Sequence, residues 1–332
     1  MLFGFDESGS FKVPSGLVTK DAAVVAGVAY AETDGPAIFD AFRGFADGLD
    51  PTKKPDGEPK GRLLSVMDCT CFCEAFQGQD NLLIEPRAFD LTWLTPDQAA
   101  DIPHRVYNLL YSKSQECIHE SMREATDLLG RQFRNLSAEQ ALRIVLLSCC
   151  IDQLTRDAMA SVKHKGEDIW ANVQFEIDAV QVRPGSREKK LFPWMLLGWL
   201  TAWSQKDPWM TINEIHTGDH PFIKHYGTEA GFDFTKLFRD NIHWVNSRDS
   251  IPVQMADIAA VITRRAMFDL QNNDGWPEVF ARLMQHHPRA SERTLGLVSW
   301  KNWMPEEVAL KYHALTAQVE QYRTRTSQMK CS

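Results

Sequence analysis

Residues 2–9 read Leu-Phe-Gly-Phe-Asp-Glu-Ser-Gly. Leu2 to Phe5 is a short apolar strand, and Asp6-Glu7-Ser8-Gly9 is the turn that ends it, with Asp6 as the strand's last residue. Working outward, residues 22–31 (Ala-Ala-Val-Val-Ala-Gly-Val-Ala-Tyr-Ala) are small and β-branched and form a second strand. Pro14-Ser15-Gly16 between them suits a hairpin connection. Gly35-Pro36 opens a helix through about Leu49, with Ile38, Phe39, Phe42 and Phe45 at helical spacing. Residues 50–61 are a polar Pro/Gly loop, and another helix is expected near 62–77. Leu82 to Trp93 holds a third strand, although Pro86 argues against an uninterrupted central one.

From Thr95 to about Lys165 the pattern is helical, and Ser137-Ala-Glu-Gln starts one helix with a capping-box pattern. Strand character returns at residues 169–182, 210–216 and 242–246. Helices are expected at 191–204, from Pro252 to about Leu270, briefly after Trp276, and from Pro305 to about Arg325. Strands interleaved with helices behind an initial hairpin predict an α/β domain with a mixed sheet. The expected organisation is one α/β domain over residues 1–270, with a helical insertion at about 95–165. A helical C-terminal extension, residues 271–332, packs on it.

Composition narrows the function. The chain has 332 residues, 44 acidic and 36 basic, for a net charge of −8. Bulk positive charge is therefore not the means of holding nucleic acid, and such a substrate would need a local basic patch helped by metal ions. Seven cysteines, an odd number with Cys149-Cys150 in an apolar run, suggest a reducing compartment. The opening residues carry no basic region followed by an apolar one, so no signal peptide is expected. Residues 191–203 are too short an apolar run to span a bilayer. A soluble cytoplasmic protein with no membrane partner is the expectation.

The chemistry-bearing candidates are carboxylates placed where burial is expected. In Val173-Gln-Phe-Glu-Ile-Asp-Ala-Val180, alternation puts Val173, Phe175, Ile177 and Ala179 on one face and Glu176 and Asp178 on the other. Asp257 is the only ionisable group in the helical stretch Val253–Ile262, and Gln254 lies three residues before it on the same face. Buried acids converging from different elements repel one another unless a divalent cation sits between them. Mg²⁺ or Mn²⁺ prefers such oxygen ligands, and the matching chemistry is metal-assisted phosphodiester hydrolysis, with ions about 3.5–4 Å apart in two-metal sites. Each acid also has a structural reading. Asp257 could favour a helix dipole, Asp178 could pair with Arg183 or Arg187, and Asp6 could cap the turn at Ser8-Gly9.

Asp-Glu-Ser-Gly after the first strand, a strand ending in Ile177-Asp178, and Ser247-Arg-Asp-Ser ahead of Gln254-Met-Ala-Asp-Ile-Ala-Ala form an ordered set. Together they resemble the bacterial and phage family known as domain of unknown function 3800. That family opens with a strand plus Asp-Glu-Ser-Gly, closes with a Ser-Lys stretch and a Gln-x-Ala-Asp helix, and has a ribonuclease-H-like fold. The resemblance covers residues 1–10, 173–180 and 244–262. It implies a ribonuclease-H-like mixed sheet and points to Asp6, Asp178 and Asp257 as metal ligands and catalytic acids. Glu7 matches the motif, but alternation directs it away from Asp6; Ser8 and Gly9 shape the turn. Arg248 stands where the family often has Lys and is a phosphate-contact candidate. Lys60-Gly61 matches a Lys-Gly after the first helix. Gln254 matches the helix motif as an accessory residue. A further carboxylate is assigned either to Glu74 on a helix or to Glu176.

Arg183, Arg187, Lys189 and Lys190 crowd the loop after Asp178, either as phosphate contacts or as a solvated surface. Cys69-x-Cys71-x-Cys73 is badly spaced for zinc, so these and His216, His220 and His225 read as core and loop residues. The expected function is a nuclease that acts on RNA or DNA with Mg²⁺ or Mn²⁺. The alternatives are a non-catalytic ribonuclease-H-like binding module and an integrase-like strand-transfer enzyme.

Overall fold

The computed structural model describes residues 1–9, 11, 22–92, 94–116, 120–161, 168–179, 192, 194–198, 220–228, 231–269, 274–286, 295–298 and 306–330. Its centre follows from strand β2 (Ala22–Tyr30), whose nine residues are all buried. A strand this apolar needs cover on both faces. Strand β1 (Leu2–Ser8) runs antiparallel to it, with Leu2 opposite Tyr30 and Ser8 opposite Val24. The first strand therefore continues past Asp6, and the Asp6-Glu7-Ser8 turn read from the sequence is corrected. Three polar residues extend as strand because β2 offers a partner for each: Ala26, Val25 and Val24. The chain turns at Gly9, whose φ of +98° suits glycine.

Strand β3 (Leu83–Asp90) lies antiparallel on the other side of β2, and β4 (Gln174–Asp178) lies parallel to β1. Two short strands, β5 (Gly227–Thr228) and β6 (Gly231–Phe232), form a separate ribbon. Strand β7 (Ile242–Val245) runs parallel to β4, and the two-residue β8 (Gly296–Leu297) adds to the edge beside β3. The sheet order is β7-β4-β1-β2-β3-β8. Pro86 is tolerated inside β3 because Ala88's carbonyl accepts from Val298 on the β8 side. Backbone groups two residues apart point the same way, so Pro86's nitrogen faces that outer edge, where pairing begins only at Arg87.

Helix α1 (Gly35–Asp47) and helix α2 (Val66–Ala75) follow the first hairpin. The next block holds α3 (Pro96–Ala100), the paired α4 (Ile102–Glu116) and α5 (Glu120–Arg134), and α6 (Ala138–Ser161). The expected cap at α6 is present: Gln140 donates its backbone N–H to Ser137 Oγ at 3.2 Å, and Ser137 N–H donates to Gln140 Oε1 at 3.0 Å. α6 is itself a layer of the core. It covers the face carrying Phe3, Phe5, Val25, Phe175 and Ile177. Short α7 (Pro221–Tyr226) and α8 (Phe234–Phe238) flank that same cluster. The opposite face, with Val24, Ala26, Val28 and Tyr30, packs on α9 (Ile251–Asp269). The C-terminal α10 (Trp276–Leu283) and α11 (Glu306–Lys330) complete that side through Phe280, Leu283, Leu315 and Val319. Among the described residues no helix is long and apolar enough to cross a membrane.

A hydrogen bond ties α11 to the sheet. Tyr312 donates its hydroxyl to Asp90 Oδ2 at 2.6 Å, and both residues are buried. Tyr312→Phe removes that donor and is expected to lower stability by about 1–2 kcal/mol. The check is urea unfolding, with a shifted midpoint at constant m; an unchanged midpoint would show that the bond holds nothing.

Candidate functional site

Asp6 and Asp178 are brought together by register. Phe5 pairs with Ile177 across the parallel strands β1 and β4, so the next residues are Asp6 and Asp178. Alternation places both on the α9 face, with Gly4, Ala26 and Glu176. Gly4 lets α9 descend onto that face, because a Cβ there would sit 2.4 Å from Pro252's carbonyl carbon. Asp257 follows in the second turn of α9, its Oδ2 accepting the Gly61 N–H at 2.8 Å.

The three acids share one electrostatic neighbourhood. Burial pushes the Asp6 carboxyl well above its ordinary value, and the negative charges of Asp257 and Asp178 push it further. The Glu7 N–H, donated to Asp6 Oδ1 at 2.7 Å, opposes this. Asp257 is also raised by burial first. The Gly61 N–H and the Lys60 ammonium pull it back, while Glu58 and Asp178 raise it.

Other residues surround this centre. Glu176 lies on the same face and accepts from Ser250 Oγ at 2.5 Å. Lys60 sits close enough to Asp257 to favour its charged form, and its Nζ pairs with Glu58 at 2.6 Å. Glu58, only 4% exposed, is an acid that sequence reading missed, because the Pro/Gly loop around it looks solvated. The adjoining Lys60-Gly61 was the only pointer to it. Arg265 was also missed. Its guanidinium donates to the carbonyls of Arg62 at 2.7 Å and Leu64 at 2.5 Å and lies over the Trp276 ring at 4.6 Å. It thereby fixes the segment whose first residue, Gly61, holds Asp257.

Several candidates take other roles. Glu7 faces α6, where Arg143 Nε pairs with its Oε2 at 2.8 Å, as alternation requires. Ser8 is the buried end of β1. Gln254 directs its amide to the carbonyls of Ser247 at 2.8 Å and Arg248 at 3.3 Å, fixing the turn that leads into α9. Arg248 is engaged by Asp56 at 2.5 Å and lies 3.9 Å from Glu58, so the acidic loop partly neutralises the expected phosphate contact. Glu74 pairs with Arg282 of α10 at 2.8 Å, in the outer helical layer rather than beside Asp257. Of the two residues expected for a further carboxylate, Glu176 lies on the face of Asp6 and Asp178, and Glu74 is engaged by α10. Arg183, Arg187, Lys189, Lys190 and His216 lie outside the described residues. Cys69 and Cys73 are buried in α2, and His220 accepts the Phe222 N–H at 3.1 Å.

Glu7 makes a pH test possible. Burial outweighs Arg143 and pushes the Glu7 carboxyl up from 4.5 to about 7. A folded pKa above the unfolded one means that folding takes up a proton. That stability is fully present below pH 4.5 and is lost as pH rises through about 7. Glu7→Gln cannot titrate, so its stability relative to the parent is expected to climb across that window. Thermal melts at a pH series check this, and a constant difference would show that Glu7 titrates alike in both states.

Carboxylate oxygens are the donors a hard divalent cation takes, and here burial first and neighbouring negative charge second raise the Asp6 and Asp257 carboxyls. As positioned, no three Asp, Glu, His or Cys side chains among the described residues form a ready metal cage. No family model matches the chain, and no curated protein or solved structure matches it.

Proposed function

We propose that the chain is a divalent-metal-dependent nuclease of ribonuclease-H-like architecture that hydrolyses phosphodiester bonds in RNA or DNA. The observation that carries this reading is the convergence of Asp6, Asp178 and Asp257, from two central strands and a helix, on one face at one end of the sheet. The sheet supports it: an antiparallel meander of β1, β2 and β3 is extended on the β1 side by the parallel strands β4 and β7.

Asp6, Asp178 and Asp257 would hold Mg²⁺ or Mn²⁺, with Glu176 and Glu58 alongside. Such an ion, when bound, lowers the pKa of water and stabilises the leaving oxygen. The chain's own residues prepare the site. The Gly61 N–H aims Asp257 and, with Lys60, opposes the burial that raises its carboxyl. The Glu7 N–H orients Asp6, and Gln254 fixes the turn ahead of α9. Arg265 holds the Gly61 segment in place.

The test is cleavage of labelled RNA and DNA, single- and double-stranded, with Mg²⁺, Mn²⁺ or EDTA. Metal-dependent cleavage of any of them is expected. Its absence from all of them would remove the reading. One observation favours a second reading, a non-catalytic nucleic-acid-binding module: Asp257 already has a backbone donor and a nearby ammonium. Binding without cleavage would select it.

A further inference from the structure

The helix that carries Asp257 also carries two adjacent arginines, Arg264 and Arg265. Arg264 comes two turns after Asp257, so the two share a face of α9, about 10 Å apart along its axis. Its side chain passes Gly9, where β1 ends: a Cβ on Gly9 would lie 3.1 Å from Arg264 Cδ and Nε. The charged end of Arg264 therefore stands just beyond the strand that delivers Asp6. With Phe268, Asp269, Asp274 and Trp276, the two arginines line an open recess of about 300 Å³. Arg265 is engaged by the carbonyls of Arg62 and Leu64 and by the Trp276 ring. That bonding anchors the segment of the exposed Arg62 next to the pair. Burial lowers the Arg265 guanidinium, and the positive charge of Arg264 lowers it further.

We propose that this recess is a phosphate subsite for a polynucleotide strand, in which Arg264 holds a backbone phosphate neighbouring the one at the acid centre. The inference rests on the nuclease reading and adds how the substrate is held. A chain with net charge −8 needs a local basic patch to hold nucleic acid, and the meeting of Arg62, Arg264 and Arg265 supplies one. A planar guanidinium presents paired donors to phosphate oxygens. The half-buried rings of Phe268 and Trp276 give the sugar and base an apolar surface that a free phosphate would leave uncovered. The two acids of the lining do not cancel the patch. Asp269 Oδ1 accepts the Asp274 N–H at 3.2 Å and its Oδ2 the Trp276 N–H at 3.1 Å. Asp274 is exposed, where water and salt screen its charge.

The experiment uses the full chain with Ca²⁺ in place of Mg²⁺, so binding is read without turnover, and a fluorescein-labelled oligonucleotide over a series of KCl concentrations. Arg264→Gln is expected to weaken binding roughly tenfold, as loss of a charged hydrogen bond does. It should also lower the salt slope by about one phosphate contact. Arg264→Lys keeps the charge and should restore that slope, with an affinity between the two. Asp274→Asn removes a negative charge from the lining and should tighten binding about two- to fivefold. Arg265 is left unchanged because it holds the Gly61 segment. Circular dichroism confirms that each variant is folded, and Asp274→Asn stands alone if the Arg264 variants are not. With Mg²⁺, Arg264→Gln should raise KM roughly tenfold and change kcat far less. Inorganic phosphate and polyglutamate are the competitors and should displace the probe only far above the oligonucleotide's own concentration. Either one binding as tightly as the oligonucleotide would overturn the inference. So would a folded Arg264→Gln protein with the parent's affinity and salt slope, weaker binding by Asp274→Asn, or no oligonucleotide binding at all. A protein that cleaves with a KM untouched by Arg264→Gln keeps the nuclease reading and loses this subsite. One that cleaves nothing, yet loses a salt-dependent contact with Arg264→Gln, does the reverse.

Discussion

Asp257→Asn is expected to abolish metal-dependent cleavage, with a loss of more than about 100-fold, while leaving the fold intact. Asparagine keeps the shape of the side chain and can still accept the Gly61 N–H that Asp257 Oδ2 takes at 2.8 Å. What it removes is the charge that a hard cation requires. The same charge raises the carboxyl of Asp6, so its removal also relieves repulsion in the metal-free protein. The melting temperature without metal should therefore hold level or rise.

Added Mg²⁺ should stabilise the parent protein by binding its native state and should do little for the variant. The two readouts move in opposite directions: greater stability without metal, smaller stabilisation by metal. A residue that serves the fold alone would give neither. Normal cleavage by Asp257→Asn, or unfolding with no change in the metal response, would make Asp257 structural and remove the main support for the nuclease.

Much of this arrangement is legible in the sequence because strand alternation is a strict rule. The two-residue period of Gln174-Phe-Glu-Ile-Asp178 places Glu176 and Asp178 opposite Phe175 and Ile177, and the structure has them so. The apolar run around Asp257 likewise marks a helix buried on the sheet. The errors come where tertiary context overrides local preference. Asp6, Glu7 and Ser8 are poor strand formers, yet β2 supplies a ladder for them. Glu58 sits among prolines, glycines and lysines, and nothing local reveals that Lys60, Arg248 and α9 enclose it. Arg265 lies two turns beyond Asp257 on α9, and its role depends on carbonyls some 200 positions earlier. Helical periodicity identified the block that holds α6 but could not say which face of the sheet that helix covers.

Gly4→Ala decides whether close packing of α9 on β1 is what gathers the acids. By strand propensity alone, alanine should be the better residue, since glycine in a strand interior costs about 0.5–1 kcal/mol relative to it. The packing argument has the opposite sign. A methyl at position 4 would lie 2.4 Å from the carbonyl carbon of Pro252, 2.5 Å from its Cβ and 2.7 Å from its oxygen. Two of these three atoms are backbone and the third belongs to a rigid ring, so no side chain can rotate away. Either β1 or the first turn of α9 must shift. Overpacking of this kind costs about 1–3 kcal/mol and occasionally more, and with backbone on both sides a loss of about 3 kcal/mol is expected. That is a large fraction of a stability of about 5–15 kcal/mol. The shift also lifts Asp257 away from Asp6 and Asp178, so the Mg²⁺-dependent rise in melting temperature should shrink even in the fraction that stays folded. Urea unfolding and melts with and without Mg²⁺ measure both. A stabilised Gly4→Ala protein with an undiminished metal response would show that α9 does not press on β1, and the carboxylates would then need another reason to meet.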